Sequence, residues 1–173
     1  MSVIIRAAAA SDLTAVTSIY AHHVNHGTAT FETEAPDERE MTRRWREVSE
    51  RGLPWLVADD NGEIVGYAYA GIYRPRVAYR YTVEDSIYVR ADRLGAGIGG
   101  LLMPALIAGA EASGMRQMIA VIGDSGNHAS IGLHRRFGFH DAGLLKNVGF
   151  KFERWLDTVF LQRSLGPDAG TPP

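Results

Sequence analysis

Two groups of residues combine the types and spacing that chemistry requires. The first is the run Arg93-Leu94-Gly95-Ala96-Gly97-Ile98-Gly99-Gly100, with four glycines in six residues. Glycine lacks a Cβ, so backbone N–H groups in such a run can converge on an anion, and a helix starting there adds partial positive charge. Phosphate or pyrophosphate is the natural ligand, although a tight turn without any ligand fits the same residues. The second is Glu84, within Thr82-Val83-Glu84-Asp85-Ser86-Ile87-Tyr88-Val89. Five arginines surround it in sequence: Arg74, Arg76, Arg80, Arg90 and Arg93. A carboxylate can take a proton from an amine, and guanidinium forks suit carboxylates and phosphates. By itself Glu84 also reads as an ion-pair partner of one of these arginines.

Composition limits the chemistry. The 173 residues contain no cysteine, which excludes disulfides, Cys-ligated metals and an acyl-cysteine intermediate together. For any acyl transfer, that absence favours direct attack in a ternary complex. With 46% hydrophobic residues the chain can bury one full core. The net charge of −2 gives no reason to expect nucleic acid as a partner. No apolar run approaches a membrane span, and no signal-peptide pattern opens the chain. The expectation is a soluble, cytoplasmic domain without a metal. His22, His23 and His26 read as a solvated helix face.

The elements that must position these groups follow from local patterns. Val3–Arg6 predicts a strand. Ser11 reads as the N-cap of a helix with Leu13, Val16, Tyr20 and Val24 on one face. Asp37 and Glu40 fit a capping box ahead of Met41, Trp45 and Val48. Asn61-Gly62 marks a hairpin between strands 55–59 and 63–73. Thr82–Val89 is a strand leading into the glycine run, and Ile98–Ser113 is a helix that contains Pro104. Met118–Ile122 reads as a strand buried on both faces, Asn127 caps a last helix, and two strands follow near 139–148 and 158–163. The order β-α-α-β-β-β-α-β-α-β-β predicts an α+β (α/β three-layer) fold, with a mixed twisted sheet covered by helices on both faces. Residues 1–165 form a single domain, and 166–173 a flexible tail.

Three kinds of phosphate loop compete for the glycine run. A Walker loop needs Lys-Ser or Lys-Thr after its last glycine, which is absent. A dinucleotide fingerprint fits Gly95, Gly97 and Gly100 in spacing, but lies mid-chain rather than at the start of a doubly wound domain. The third is the acyl-CoA loop of the GNAT N-acetyltransferases, Arg/Gln-x-x-Gly-x-Gly/Ala. Leu94-Gly95-Ala96-Gly97-Ile98-Gly99 resembles it, with Leu94 in place of the usual Arg or Gln. Asn127-His128-Ala129-Ser130-Ile131-Gly132-Leu133-His134-Arg135-Arg136-Phe137-Gly138-Phe139 is similar to a second segment of that family. The stretch Val148–Asp157 resembles one branch, the acetyltransferases of phosphinothricin, methionine sulfone and methionine sulfoximine. The likeness spans residues 3 to 164 and implies the GNAT fold.

The resemblance also implies roles. Glu84 is the general base, and Ile87, Tyr88 and Val89 contact acetyl-CoA, with the oxyanion near the Val89 N–H. Gly95, Ala96, Gly97, Ile98, Gly99 and Gly100 cradle the pyrophosphate, joined by Asn127 and Ser130. Arg90 and Arg93 lie on the phosphate side. Phe31, Arg74, Pro75, Arg76, Glu84, Asp85 and Ser86 border the acceptor, although strand alternation directs Asp85 to the opposite sheet face. His134 stands where many relatives carry Tyr, so the acid that protonates the leaving thiolate stays open. Phe152 replaces a His frequent in the phosphinothricin enzymes, which favours methionine sulfone or sulfoximine. The implied protein is an acetyl-CoA-dependent N-acetyltransferase of a small amino acid, and a homodimer. The alternatives are a protein N-terminal or lysine acetyltransferase and a non-catalytic acyl-CoA-binding domain.

Overall fold

The structure, a computed structural model, describes residues 3–173. Seven strands and four α-helices alternate in the expected order. They are β1 (Val3–Ala7), α1 (Leu13–His26), α2 (Glu38–Glu50), β2 (Trp55–Asp60), β3 (Glu63–Ile72), β4 (Thr82–Val89), α3 (Ile98–Ala112), β5 (Gln117–Gly123), α4 (His128–Arg136), β6 (His140–Lys151) and β7 (Arg154–Ser164). One mixed sheet runs β1-β2-β3-β4-β5-β7-β6. Among the described residues only the β4–β5 pair is parallel, and α3 is its crossover.

The two sheet faces carry different cores. Helices α1 and α2 bury Val16, Tyr20, Val24 and Met41 against Trp55, Val57 and Tyr67. On the other face α3 buries Leu102, Met103 and Leu106 against Val65, Ala68, Val83, Met118 and Leu161. Alternation along the strands sorts the two sets. It also decides that Glu84 and Asp85, adjacent in sequence, serve different faces.

Local chemistry departs from expectation in three places. Ser11 does not cap α1, because it lies inside a 3-10 turn, Ala10–Asp12. Asp12 instead accepts the Ala9 N–H at 2.7 Å and a charge-assisted bond from Arg6 at 2.7 Å. The box on α2 is half formed. Asp37 accepts from the Glu40 N–H at 2.8 Å, while the Glu40 carboxylate is held by Arg43 and Arg44. As expected, α3 runs through Pro104, to Ala112. The last two strands are longer than expected and form a hairpin that turns at Phe152-Glu153, both with positive φ (51° and 59°). In the C-terminal segment Arg116 donates to the Asp168 carbonyl at 2.9 Å.

Candidate active site

The site begins where two strands part. β4 and β5 pair only from Thr82 with Gln117 to Asp85 with Ala120. Both continue beyond that point, but β4 stays with β3 as far as Val89 and β5 stays with β7 as far as Gly123. The seam opens into a cleft of about 680 Å³, lined by Asp85 to Val89 on one wall and by Ala120 to Ile122, Asn127 and Ser130 on the other. The Arg90 N–H donates to the Val65 carbonyl on β3. Backbone groups alternate along a strand, so Ile87 and Val89 present theirs to the cleft. An extended amide-bearing ligand could lie along that edge as an added strand.

Beyond Val89 the glycine run closes one end of the cleft. Gly95 and Gly97 adopt φ of +77° and +81°, which L side chains rarely take. A Cβ at either would meet no atom within 4 Å, so their glycine identity answers a backbone requirement and leaves open space above. Gly97 is the N-cap of α3, which aims the helix N-terminus at that space. Gly95, Gly97, Ile98, Gly99 and Gly100 all line the cleft, whereas Ala96 does not. A pyrophosphate fits this cradle. Asn127 caps α4 by accepting from the Ser130 N–H at 3.2 Å, which leaves its amide NH₂ as a donor toward the cleft.

Glu84 projects from the other face of β4, beside the closed end of the cleft. Ser86 and Tyr88 share that face: Ser86 stands opposite Tyr69 of β3, and the Tyr88 ring meets Tyr20 and Tyr67 at 4.9 and 5.4 Å. Burial raises the Glu84 pKa to about 7, the Asp85 charge adds to the rise, and the Arg74 charge opposes it. A carboxylate tuned to the operating pH suits a general base. Arg74, Pro75 and Arg76 lie exposed on the loop between β3 and β4, with the Arg74 guanidinium 5.1 Å from the centre of the Tyr73 ring. Phe31, between α1 and α2, seats its ring against Gly123 and Gly149, where any Cβ would collide with it. Buried Lys151 fixes the same loop by donating to the Gly27 and Thr30 carbonyls, each at 2.9 Å.

Two expected positions change. Asp85 does not face the acceptor side, because alternation turns it toward α4, where it accepts from His134 Nε2 at 2.9 Å. Arg90 leaves the phosphate end and pairs with Asp92 and Glu63, while Arg93 lines the cleft and also reaches Asp60. His23 is no solvated histidine. Its Nε2 donates to the Val89 carbonyl at 2.8 Å, and burial lowers its pKa, which keeps it neutral. Residues 27–29, Ala129, Leu133 and Arg136 also line the cleft and were not expected there. Ala129, Leu133 and Arg136 recur at i, i+4 and i+7 on α4, a signal readable from sequence once Ser130 is placed.

A strand pair that splays beside a glycine-rich helix start, with a half-buried glutamate next to the apex, is the arrangement of an acyl-CoA-dependent transferase. The profile of the Acetyltransferase (GNAT) family matches residues 16–139. The chain belongs to the GNAT family and is an N-acetyltransferase. It is 55% identical over 162 residues to the phosphinothricin N-acetyltransferase of Alcaligenes faecalis, covering 94% of this chain and 82% of that one. It is 45% identical over 174 residues to the L-methionine sulfoximine/L-methionine sulfone acetyltransferase of Pseudomonas aeruginosa, covering 99% and 100%. Among solved structures, a phosphinothricin acetyltransferase from Sinorhizobium meliloti in complex with acetyl-CoA superposes with a TM-score of 0.96 at 46% identity, covering 100% and 94%.

Proposed function

We propose that this protein transfers the acetyl group of acetyl-CoA to the α-amino group of a small amino acid of the phosphinothricin, methionine sulfone or methionine sulfoximine type. The observation that carries this reading is Glu84, with its pKa raised to about 7, next to the last paired residues of a splayed acyl-CoA cleft. The glycine cradle holds the pyrophosphate, and the Ile87–Val89 edge holds the pantetheine arm. That register brings the thioester to the closed end beside Asp85 and Ser86. Glu84, on the adjoining face, takes the proton of the ammonium, directly or through a water, so that a neutral amine attacks. The Ile87 N–H, the cleft-facing donor nearer that closed end, is the candidate donor to the oxyanion, and the Val89 N–H lies toward the glycine cradle. Arg74 and Arg76 are placed to receive the acceptor carboxylate, with Phe31 as an apolar wall.

The names of the relatives support this acceptor class. We further propose a cytoplasmic homodimer joined through the β6–β7 hairpin, which exposes Leu144, Leu145, Val148, Phe150, Phe152 and Trp155. No described helix is long and apolar enough to cross a membrane. The deciding experiment measures CoA release from acetyl-CoA with free amino acids, their sulfone and sulfoximine analogues, phosphinothricin and peptides. Turnover on the free analogues is the expected outcome. Turnover confined to peptides would move the assignment to protein acetylation, and none on any acceptor would leave a non-catalytic acyl-CoA-binding domain.

A further inference from the structure

One pair of ionisable groups at the closed end of the cleft has no part in the reaction as described so far. His134 and Asp85 are both buried, at 4% and 6% exposure, and both line the cleft. His134 Nδ1 lies 2.7 Å from the Ser130 carbonyl, and Nε2 lies 2.9 Å from Asp85 Oδ2. A carbonyl and a carboxylate only accept. Both ring nitrogens therefore donate, and the ring is an imidazolium. Burial disfavours that charge, but the Asp85 charge and the hydrogen bonds from both partners outweigh it and raise the pKa. The groups packed on the ring are Asp85 from β4, the Ser130 carbonyl and hydroxyl of its own helix, and the Phe139 ring edge-on at 5.0 Å. Glu84 stands on the far face of the same strand.

As a purely structural device the pair is poorly built. Asp85 Oδ1 is buried and has no hydrogen-bond partner among the described residues. Buried ion pairs of this kind are often replaceable by apolar side chains without loss of stability. Its position explains it better. Asp85 and Ala120 are the last paired residues before the strands part, which is where the acyl sulfur arrives if the pyrophosphate sits at Gly95–Gly100.

We propose that Asp85 is a positioning residue for acetyl transfer: it fixes His134 as an imidazolium at the apex of the cleft, where the positive charge offsets the negative charge that develops on the departing sulfur. Glu84 releases the ammonium proton to solvent; the neutral amine nitrogen then bonds to the acyl carbon, its second proton passes to the freed Glu84 carboxylate, and the C–S electron pair leaves on sulfur. The thiolate then takes a proton from solvent. Both His134 protons stay committed to Ser130 and Asp85, so the ring acts through its charge. The inference rests on acetyl transfer in this cleft and is independent of which acceptor is used.

The test reads the ring directly. Nitrogen-15 spectra of the wild type, with His134→Gln to assign the resonance, should show both ring nitrogens protonated at pH 7.5 without any turnover. A neutral ring there overturns the proposal, and that reading stands apart from any error in the acceptor. In Asp85→Asn the ring should be neutral at the same pH. Its kcat should fall about tenfold or more, with both KM values within about twofold. Losing the carboxylate lowers the His134 pKa, so the basic limb of the kcat–pH profile should move to lower pH. Wild-type kcat and an unmoved basic limb in a folded Asp85→Asn protein also overturn it. A role confined to stability would lower Tm and leave that limb in place. Should Asp85→Asn fail to fold, the wild-type spectrum decides.

Discussion

Glu84, the proposed base, sits under two opposing demands, because the burial that raises its pKa also makes its charge costly. Its pKa of about 7 places the ionised and neutral forms in balance at neutral pH. Only the ionised form accepts a proton, so kcat/KM should rise with pH through about 7. Glu84→Gln should abolish that limb and lower kcat by roughly 10²–10⁴; steady-state kinetics from pH 5.5 to 9 check both, and near-normal turnover at every pH would remove Glu84 as the base. The same shift has a stability consequence. The folded pKa lies above the ordinary value of 4.5, so the folded state binds the proton more tightly than the unfolded chain. That contribution is complete below about pH 4.5 and is lost as pH rises through about 7. Glu84→Gln should therefore be more stable than the wild type at pH 8, by at most about 3 kcal/mol, with the difference vanishing near pH 4. Thermal unfolding at the two pH values tests the sign, and a variant less stable at pH 8 contradicts it.

The elements supporting Glu84 were unevenly legible in the sequence, and the reasons are physical. The Asn61-Gly62 hairpin, the Asp37 cap and the glycine start of α3 are local, so their residues announce them. Alternation along β4 likewise separates Glu84 from Asp85. The parting of β4 from β5 is a register between strands over thirty residues apart, and nothing within either strand marks it. The turn at Phe152-Glu153 carries no glycine or asparagine, so the length of the hairpin was hidden too. The seat of Phe31 depends on two glycines, Gly123 and Gly149, that meet only in the fold. Each kind of glycine yields a separate prediction. Gly97→Ala forces a side chain into φ +81° and should cost about 1–2 kcal/mol while raising the KM for acetyl-CoA, with the acceptor KM little changed. Gly149→Ala places a methyl where the Phe31 ring lies, so the ring and its loop must shift. It should cost about 1–3 kcal/mol and raise the acceptor KM several-fold, leaving that for acetyl-CoA within about twofold. Paired KM measurements separate the two sites. Equal effects on both substrates from either variant would show that the cradle and the Phe31 wall do not act separately.

At the scale of the whole molecule, one surface lacks a partner of its own. The β6–β7 hairpin presents Phe150 and Trp155 side by side, with ring centres 5.1 Å apart, at 57% and 63% exposure. Leu144 lies on the same face of β6 and is exposed too. Large apolar side chains exposed together on one face of a hairpin suit an association surface. The near-neutral net charge of −2 offers little repulsion between two copies. The same hairpin carries Gly149 and Lys151, which seat Phe31 and its loop, so a second copy packed there would brace the acceptor side. The acyl-CoA cleft, by contrast, is walled within one chain. The wild type should therefore sediment at twice its chain mass of 18.9 kDa. Phe150→Glu combined with Trp155→Glu should sediment as a monomer, since two carboxylates cannot be buried unpaired in such an interface. In that monomer the KM for acetyl-CoA should stay within about twofold, while the acceptor KM rises several-fold as the hairpin loses its support. A wild type that sediments as a monomer at every concentration would remove the homodimer, and a monomeric variant with an unchanged acceptor KM would disconnect the hairpin surface from the site.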